Sequence, residues 1–117
     1  MAITRKEFLR LGTLGLMGAV GLALSSVAGA RKQRTRAVVI QNFSFKPAHI
    51  TIERGTRVIW INKDSVKHTA TANNGRSFDS GLLRKGQRYS HTFKRAGKKP
   101  YHCEPHPHMK GSVTVKR

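Results

Sequence analysis

Cysteine is almost absent from this chain: Cys103 is the only one in 117 residues. A single thiol closes no intramolecular disulfide, so the fold has no covalent staple, and the thiol needs another explanation. Acidic residues are nearly as scarce, five against 23 Lys and Arg. A helical repeat is missing too: after Ala30 no window of 11 residues sustains an apolar i, i+3, i+4 pattern, which leaves little room for α-helix. Nor is there an internal repeat, a low-complexity tract or a recognisable nucleic-acid-binding motif.

The first thirty residues read as an address label. Arg5, Lys6 and Arg10 precede an uncharged run, Leu11 to Ala30, that ends in Ala28-Gly29-Ala30. A basic start, an apolar stretch and a small-x-small ending form an export signal. The rival reading is an uncleaved membrane anchor, and Gly12, Gly15, Gly18, Gly21 and Gly29 hold the hydrophobicity below that of a usual span. Thr4-Arg5-Lys6-Glu7-Phe8-Leu9 is similar to the twin-arginine signal, with Lys6 in place of its second arginine. The expected location is the periplasm or the outer face of the cytoplasmic membrane.

Cutting after Ala30 leaves 87 residues with 20 Lys or Arg and four acids (Glu53, Asp64, Asp79, Glu104), a formal charge of +16. Such a field speaks to association with an anionic partner rather than to fold. The plainer alternative is a solvated basic surface. Nucleic acid is disfavoured as a partner by the export signal and by the dispersal of the charge along the chain; an acidic protein or an anionic membrane face fits better.

Residues 31–36 are a basic run without periodicity, read as a flexible arm, with the folded domain spanning 37–117. Strands are expected at Ala37–Gln41, His49–Ile52, Thr56–Asn62, Arg88–Phe93, Pro100–Cys103 and Ser112–Lys116, divided by turn chemistry at Lys46-Pro47, Arg54-Gly55 and Asn73-Asn74-Gly75. Short strands between Gly and Pro turns predict an all-β sandwich or barrel. Its core candidates are Val39, Phe45, Ile52, Val58, Trp60, Phe78, Phe93, Val113 and Val115.

Chemistry concentrates in Tyr101-His102-Cys103-Glu104-Pro105-His106-Pro107-His108-Met109. The spacing Cys-x-x-His-x-x-Met, stiffened by two prolines, presents a thiol, an imidazole and a thioether to one point. Soft thiolate and thioether donors suit Cu(I), imidazole suits either copper oxidation state, and two His with one Cys and a weak axial Met form the blue-copper donor set. His68 is the best candidate for the second imidazole, because it follows the strongest strand by a short loop and opens the extended segment Thr69-Ala70-Thr71. Zinc is disfavoured by the thioether and by the lack of a Cys pair. A Cys nucleophile is disfavoured by the absence of an acidic orienter or oxyanion feature. His49, His91 and His102 have no ligand-spaced partner and read as surface or packing histidines, and Trp60 as core.

Across 37–117 the chain resembles the cupredoxins, in particular the amicyanin and plastocyanin-like group. The likeness rests on Phe45-x-Pro47, Gly55-Thr56-x-Val58-x-Trp60-x-Asn62, His68-Thr69, Phe78-Asp79-Ser80-Gly81, the segment from Tyr101 to Met109, and Gly111-x-Val113. The resemblance implies a Greek-key β-sandwich with one type 1 copper at one end. His68, Cys103, His106 and Met109 would be its ligands and the His106 ring its electron exit. It implies a monomeric electron carrier, not an enzyme, that shuttles electrons between redox partners; the alternative is a copper carrier or storage protein with the same ligands. Two positions depart from the pattern. Thr69 stands where many members have an Asn that bonds into the ligand loop and the thiolate region. His108 stands where amicyanins usually have an apolar residue, either flanking His106 or simply solvated.

Overall fold

The computed structural model describes residues 33–117. The export-signal reading of residues 1–30 lies outside the described residues, as do Arg31 and Lys32 of the arm. Among the described residues there are eight strands and no helix: β1 (Thr35–Gln41), β2 (Ser44–Lys46), β3 (His49–Ile52), β4 (Arg57–Asn62), β5 (Thr71–Ala72), β6 (Arg88–Thr92), β7 (Gly97–His102) and β8 (Lys110–Val115). One sheet has the order β2-β1-β4-β6 and the other β3-β8-β7-β5. β1 runs parallel to β4 and β3 parallel to β8, while the remaining pairs are antiparallel. The expected all-β sandwich is therefore the architecture.

Alternation builds the core. In β4, Val58, Trp60 and Asn62 point inward, as their period of two requires; in β3, Ile50 and Ile52 do the same. Trp60 is fully buried, stacked on Phe78 at 5.4 Å and edge-on to Tyr101 at 5.4 Å. Val39 corrects the expected core: it is half-buried, and its neighbours Val38 and Ile40 fill the interior. The pairing of β1 with β4 decides this, because Val38 lies beside Trp60 and Ile40 beside Asn62, and paired residues share a face. The sequence Val38-Val39-Ile40 is apolar on both sides, so alternation alone cannot choose.

The domain also begins earlier than residue 37. Thr35 and Arg36 pair with Arg57 and Val58, and the Gln33 side chain donates to Gly55 O at 2.7 Å. Pairing with β4 thus orders part of the basic arm. β7 likewise starts at Gly97 rather than Pro100, because β8 pairs with it along its whole length.

Two backbone features set up the functional end. Gly111 sits opposite Tyr101, where a Cβ would lie 2.5 Å from Tyr101 Cζ and 2.8 Å from Ala48 O. Only glycine lets the Tyr101 ring lie across this strand. The β1–β2 turn is Asn42-Phe43, both at φ 53°, the left-handed pair that a two-residue hairpin requires. Phe is a poor occupant of that region, so something must hold it there.

Candidate metal centre

Cys103, His106 and Met109 come from the seven-residue connection between β7 and β8. Its spacing has a local cause. The His106 N–H donates to Cys103 O at 3.2 Å, the Met109 N–H donates to His106 O at 2.8 Å, and the Cys103 N–H closes the loop on Met109 O at 3.1 Å. Two successive three-residue turns therefore put the three side chains at the corners of one small loop. Pro105 and Pro107 occupy positions whose missing N–H is not used, so they stiffen the loop at no cost in hydrogen bonds.

His68 arrives from the β4–β5 loop of the chain. Its backbone pairs with Leu83 in both directions, at 3.2 and 2.8 Å, and Asn62 shapes the loop by donating to Val66 O at 3.0 Å and Leu83 O at 2.8 Å. The result brings His68 Nδ1 to 3.5 Å from Cys103 Sγ, while His106 Nδ1 lies 3.6 Å from the same sulfur. Cys103 and His68 are fully buried and His106 is half-buried. Among the described residues these three form the one cluster of thiol, imidazole or carboxylate donors with metal-holding geometry. Met109 is buried beside them in sequence, anchored to Cys103 and His106 through its backbone.

The spacing fits a metal ion. A thiolate and an imidazole sharing a first-row metal, with bonds of about 2.3 and 2.0 Å, stand about 3.5 Å apart at a tetrahedral angle. The two sulfur–nitrogen separations match that figure, and the one thiolate with two imidazoles is a copper-suited donor set.

Sequence reasoning missed the residue that orients His68. Asp64 Oδ2 lies 2.8 Å from His68 Nε2, which makes Nε2 the protonated nitrogen and leaves Nδ1 free to face Cys103. The same carboxylate accepts the N–H groups of Asn42 at 2.8 Å and Phe43 at 3.0 Å. It thereby holds the left-handed turn. Burial works to raise the Asp64 pKa, but the hydrogen bonds from Phe43, Asn42 and His68 outweigh it and the net shift is downward. The turn in turn places the Phe43 ring 5.0 Å from both the His68 and the His106 rings. The Asp-x-x-x-His spacing was the only available signal for Asp64, and nothing in the sequence pointed to Phe43.

Thr69 contacts both Cys103 and the residue that follows it. Its N–H approaches Cys103 Sγ at 3.4 Å, and its hydroxyl accepts the Glu104 N–H at 2.8 Å. His108 is exposed, with its ring 6.3 Å from that of His106. The other histidines are structural: His49 bonds Ser112 Oγ at 2.8 Å, His102 bridges Asn73 and Glu104, and His91 packs on Phe78 and Phe93, where burial lowers its pKa.

A two-sheet β-sandwich that brings one buried thiol and two imidazoles together at one end defines the cupredoxin class. Comparison with known proteins agrees. Residues 33–116 match the family model for copper binding proteins of the plastocyanin/azurin family, and the chain belongs to that family. It is similar to amicyanin-alpha of Methylorubrum extorquens, at 33% identity over 97 residues, covering 80% of this chain and 81% of that protein. It is also 33% identical over 82 residues to the amicyanin of Paracoccus versutus, covering 67% of this chain. The chain spans 62% of the length of that relative. Among solved structures, a purple cupredoxin from Nitrosopumilus maritimus aligns with a TM-score of 0.64 at 33% identity, covering 68% of this chain and 98% of that one. The cofactor of this family is copper, and the residues present fit one ion.

Proposed function

We propose that the protein is an exported, monomeric type 1 blue-copper electron carrier, not an enzyme, whose single ion is held by His68, Cys103, His106 and Met109. The observation that carries this reading is the fully buried Cys103 sulfur facing the Nδ1 atoms of His68 and His106 at 3.5 and 3.6 Å. Copper bound there supplies a one-electron Cu(I)/Cu(II) couple. The protein's part is to hold the donors in one arrangement: Asp64 fixes the His68 ring, the two turns fix the loop, and packing excludes water from the sulfur. A storage role is served poorly by one buried site with no second donor cluster among the described residues.

The surface supports a docking function. Among the described residues the exposed large hydrophobic ones are Phe43, Val66 and Leu82: Phe43 packs against the His68 and His106 rings, Val66 lies in the loop that carries His68, and Leu82 precedes the Leu83 that pairs with His68. Among the described residues Lys116 alone of the Lys and Arg side chains contacts a carboxylate, that of Glu53 at 3.0 Å. Asp64 and Glu104 are engaged by histidines. The unpaired cations favour an acidic redox partner, with an anionic membrane surface as the second candidate, and residues 1–30 act as the export signal that delivers the domain to the periplasm or the outer face of the cytoplasmic membrane.

The decisive experiment is copper titration. The Cu(II) protein should be intensely blue from thiolate-to-copper charge transfer, and Cys103→Ala should abolish the colour. A colourless one-to-one copper complex of the unaltered protein sinks the assignment. A partner steered by charge should release from the copper-loaded protein as ionic strength rises.

A further inference from the structure

The motif Phe78-Asp79-Ser80-Gly81 takes no part in holding the metal ligands directly, yet its carboxylate is wired to the ligand loop. Thr71 Oγ1 donates to Asp79 Oδ1 at 3.0 Å, and Thr69 Oγ1 lies 2.8 Å from Thr71 Oγ1. Glu104 N–H then donates to Thr69 Oγ1 at 2.8 Å. Both ends of this chain are polar in one sense. A backbone amide can only donate, and an ionised carboxylate can only accept. Each hydroxyl has one proton, and Thr71 spends its own on Asp79. Thr69 must therefore donate to Thr71, which turns its lone pair toward Glu104.

Both threonines are buried, at 3% exposure each, whereas Asp79 is at the surface. The exposed end is fixed as well: Asp79 Oδ1 also accepts the Gly81 N–H at 3.0 Å, and Ser80 exchanges hydrogen bonds with Ala70 through Ala70 N–H to Ser80 Oγ (2.9 Å) and Ser80 N–H to Ala70 O (3.0 Å). The segment 78–81 is thus bolted to 69–71 on either side of the relay.

We propose that Asp79 and Thr71 are positioning residues for the copper site, acting through a one-directional hydrogen-bond relay, Glu104 N–H to Thr69 to Thr71 to the Asp79 carboxylate. The relay holds the backbone that follows Cys103 and keeps the Thr69 N–H aimed at the sulfur. That N–H withdraws charge from the thiolate and favours the reduced form, so a slack relay lowers the reduction potential. The redox half of this inference rests on the copper reading above; the backbone half does not.

The test uses Thr71→Val, which cuts the relay and keeps the shape, Thr71→Ser, which keeps the hydroxyl, and Asp79→Ala and Asp79→Asn at the exposed end, where refolding is least at risk. In the copper-free protein the Glu104 amide exchange rate is read by NMR. Thr71→Val and Asp79→Ala should exchange tenfold faster or more, while Thr71→Ser and Asp79→Asn, which retain an acceptor, should stay near the unaltered rate. In the copper-loaded protein the first two should lower the potential and shift the thiolate band. If Thr71→Val leaves the Glu104 amide protected and the band in place, the relay is overturned. It is equally overturned if Thr71→Ser behaves like Thr71→Val, since packing and not the hydroxyl would then be responsible. If the unaltered protein is not blue with copper, the copper reading has failed, and the amide exchange still decides the relay.

Discussion

Removing the Asp64 carboxylate, by Asp64→Ala, should weaken both the fold and copper binding, by separable amounts. Three hydrogen bonds are lost: His68 Nε2 at 2.8 Å, Asn42 N at 2.8 Å and Phe43 N at 3.0 Å. The two turn amides are exposed and regain water, and the Asp64 side chain is itself 15% accessible. Each of those two bonds therefore contributes about 0.5–1.5 kcal/mol, and together the turn amides account for about 1–3 kcal/mol of the stability of the copper-free protein. The bond to His68 acts differently, because that ring is fully buried and Asp64 is the one partner of its Nε2 among the described residues. Losing an orienting partner of a metal-binding imidazole costs about 10- to 100-fold in affinity. Competition against a chelator of known affinity measures this directly.

The pH dependence has a definite sign. The folded Asp64 pKa is depressed, so its stabilisation is present above the ordinary carboxylate value of about 3.9 and is lost as pH falls through the lower folded value. The stability difference between the unaltered protein and Asp64→Ala should therefore be flat above about pH 5 and should close in more acid solution. An affinity unchanged within twofold, or a stability gap that persists at pH values where the carboxylate is protonated, would refute the role given to Asp64.

Gly111→Ala should destabilise the copper-free domain by about 1–3 kcal/mol or more, because the new Cβ is caught between the buried Tyr101 ring at 2.5 Å and the Ala48 carbonyl at 2.8 Å; thermal melting should fall by at least about 4 °C. Met109→Leu should leave copper bound and raise the potential, since a hydrocarbon cannot donate to Cu(II) as a thioether would; voltammetry checks it, and loss of binding would mean that Met109 does more than tune the potential. Phe43→Ala should preserve the visible spectrum and slow electron exchange with a protein acceptor in stopped-flow measurements, because the ring packs edge-on beside the half-buried His106 and is not itself a donor.

The readable parts of this protein are those set by short-range geometry. Alternation in His49–Ile52 and Thr56–Asn62 identified the inward faces correctly, since a strand of mixed polarity has only one sensible way to lie. It failed at Val38-Val39-Ile40, where both faces are apolar and only the parallel pairing with β4 decides. The Cys-x-x-His-x-x-Met loop was legible for the same reason as the alternating strands: its three-residue spacing is the spacing of the two turns that build it.

What the sequence alone determined is that a thiol, an imidazole and a thioether, Cys103, His106 and Met109, share one stiff loop, together with the class of chemistry that such groups permit. Tertiary structure decided the rest. His68 lies 35 residues from Cys103, and Asp79 reaches the ligand loop through two threonines from a different connection; no local spacing rule links such positions. Two sheets packed face to face bring the connections at one end together, and the buried polar groups there must then find partners within reach. That requirement, applied in three dimensions, is why a lone carboxylate such as Asp64 serves the His68 ring and the Phe43 turn at once.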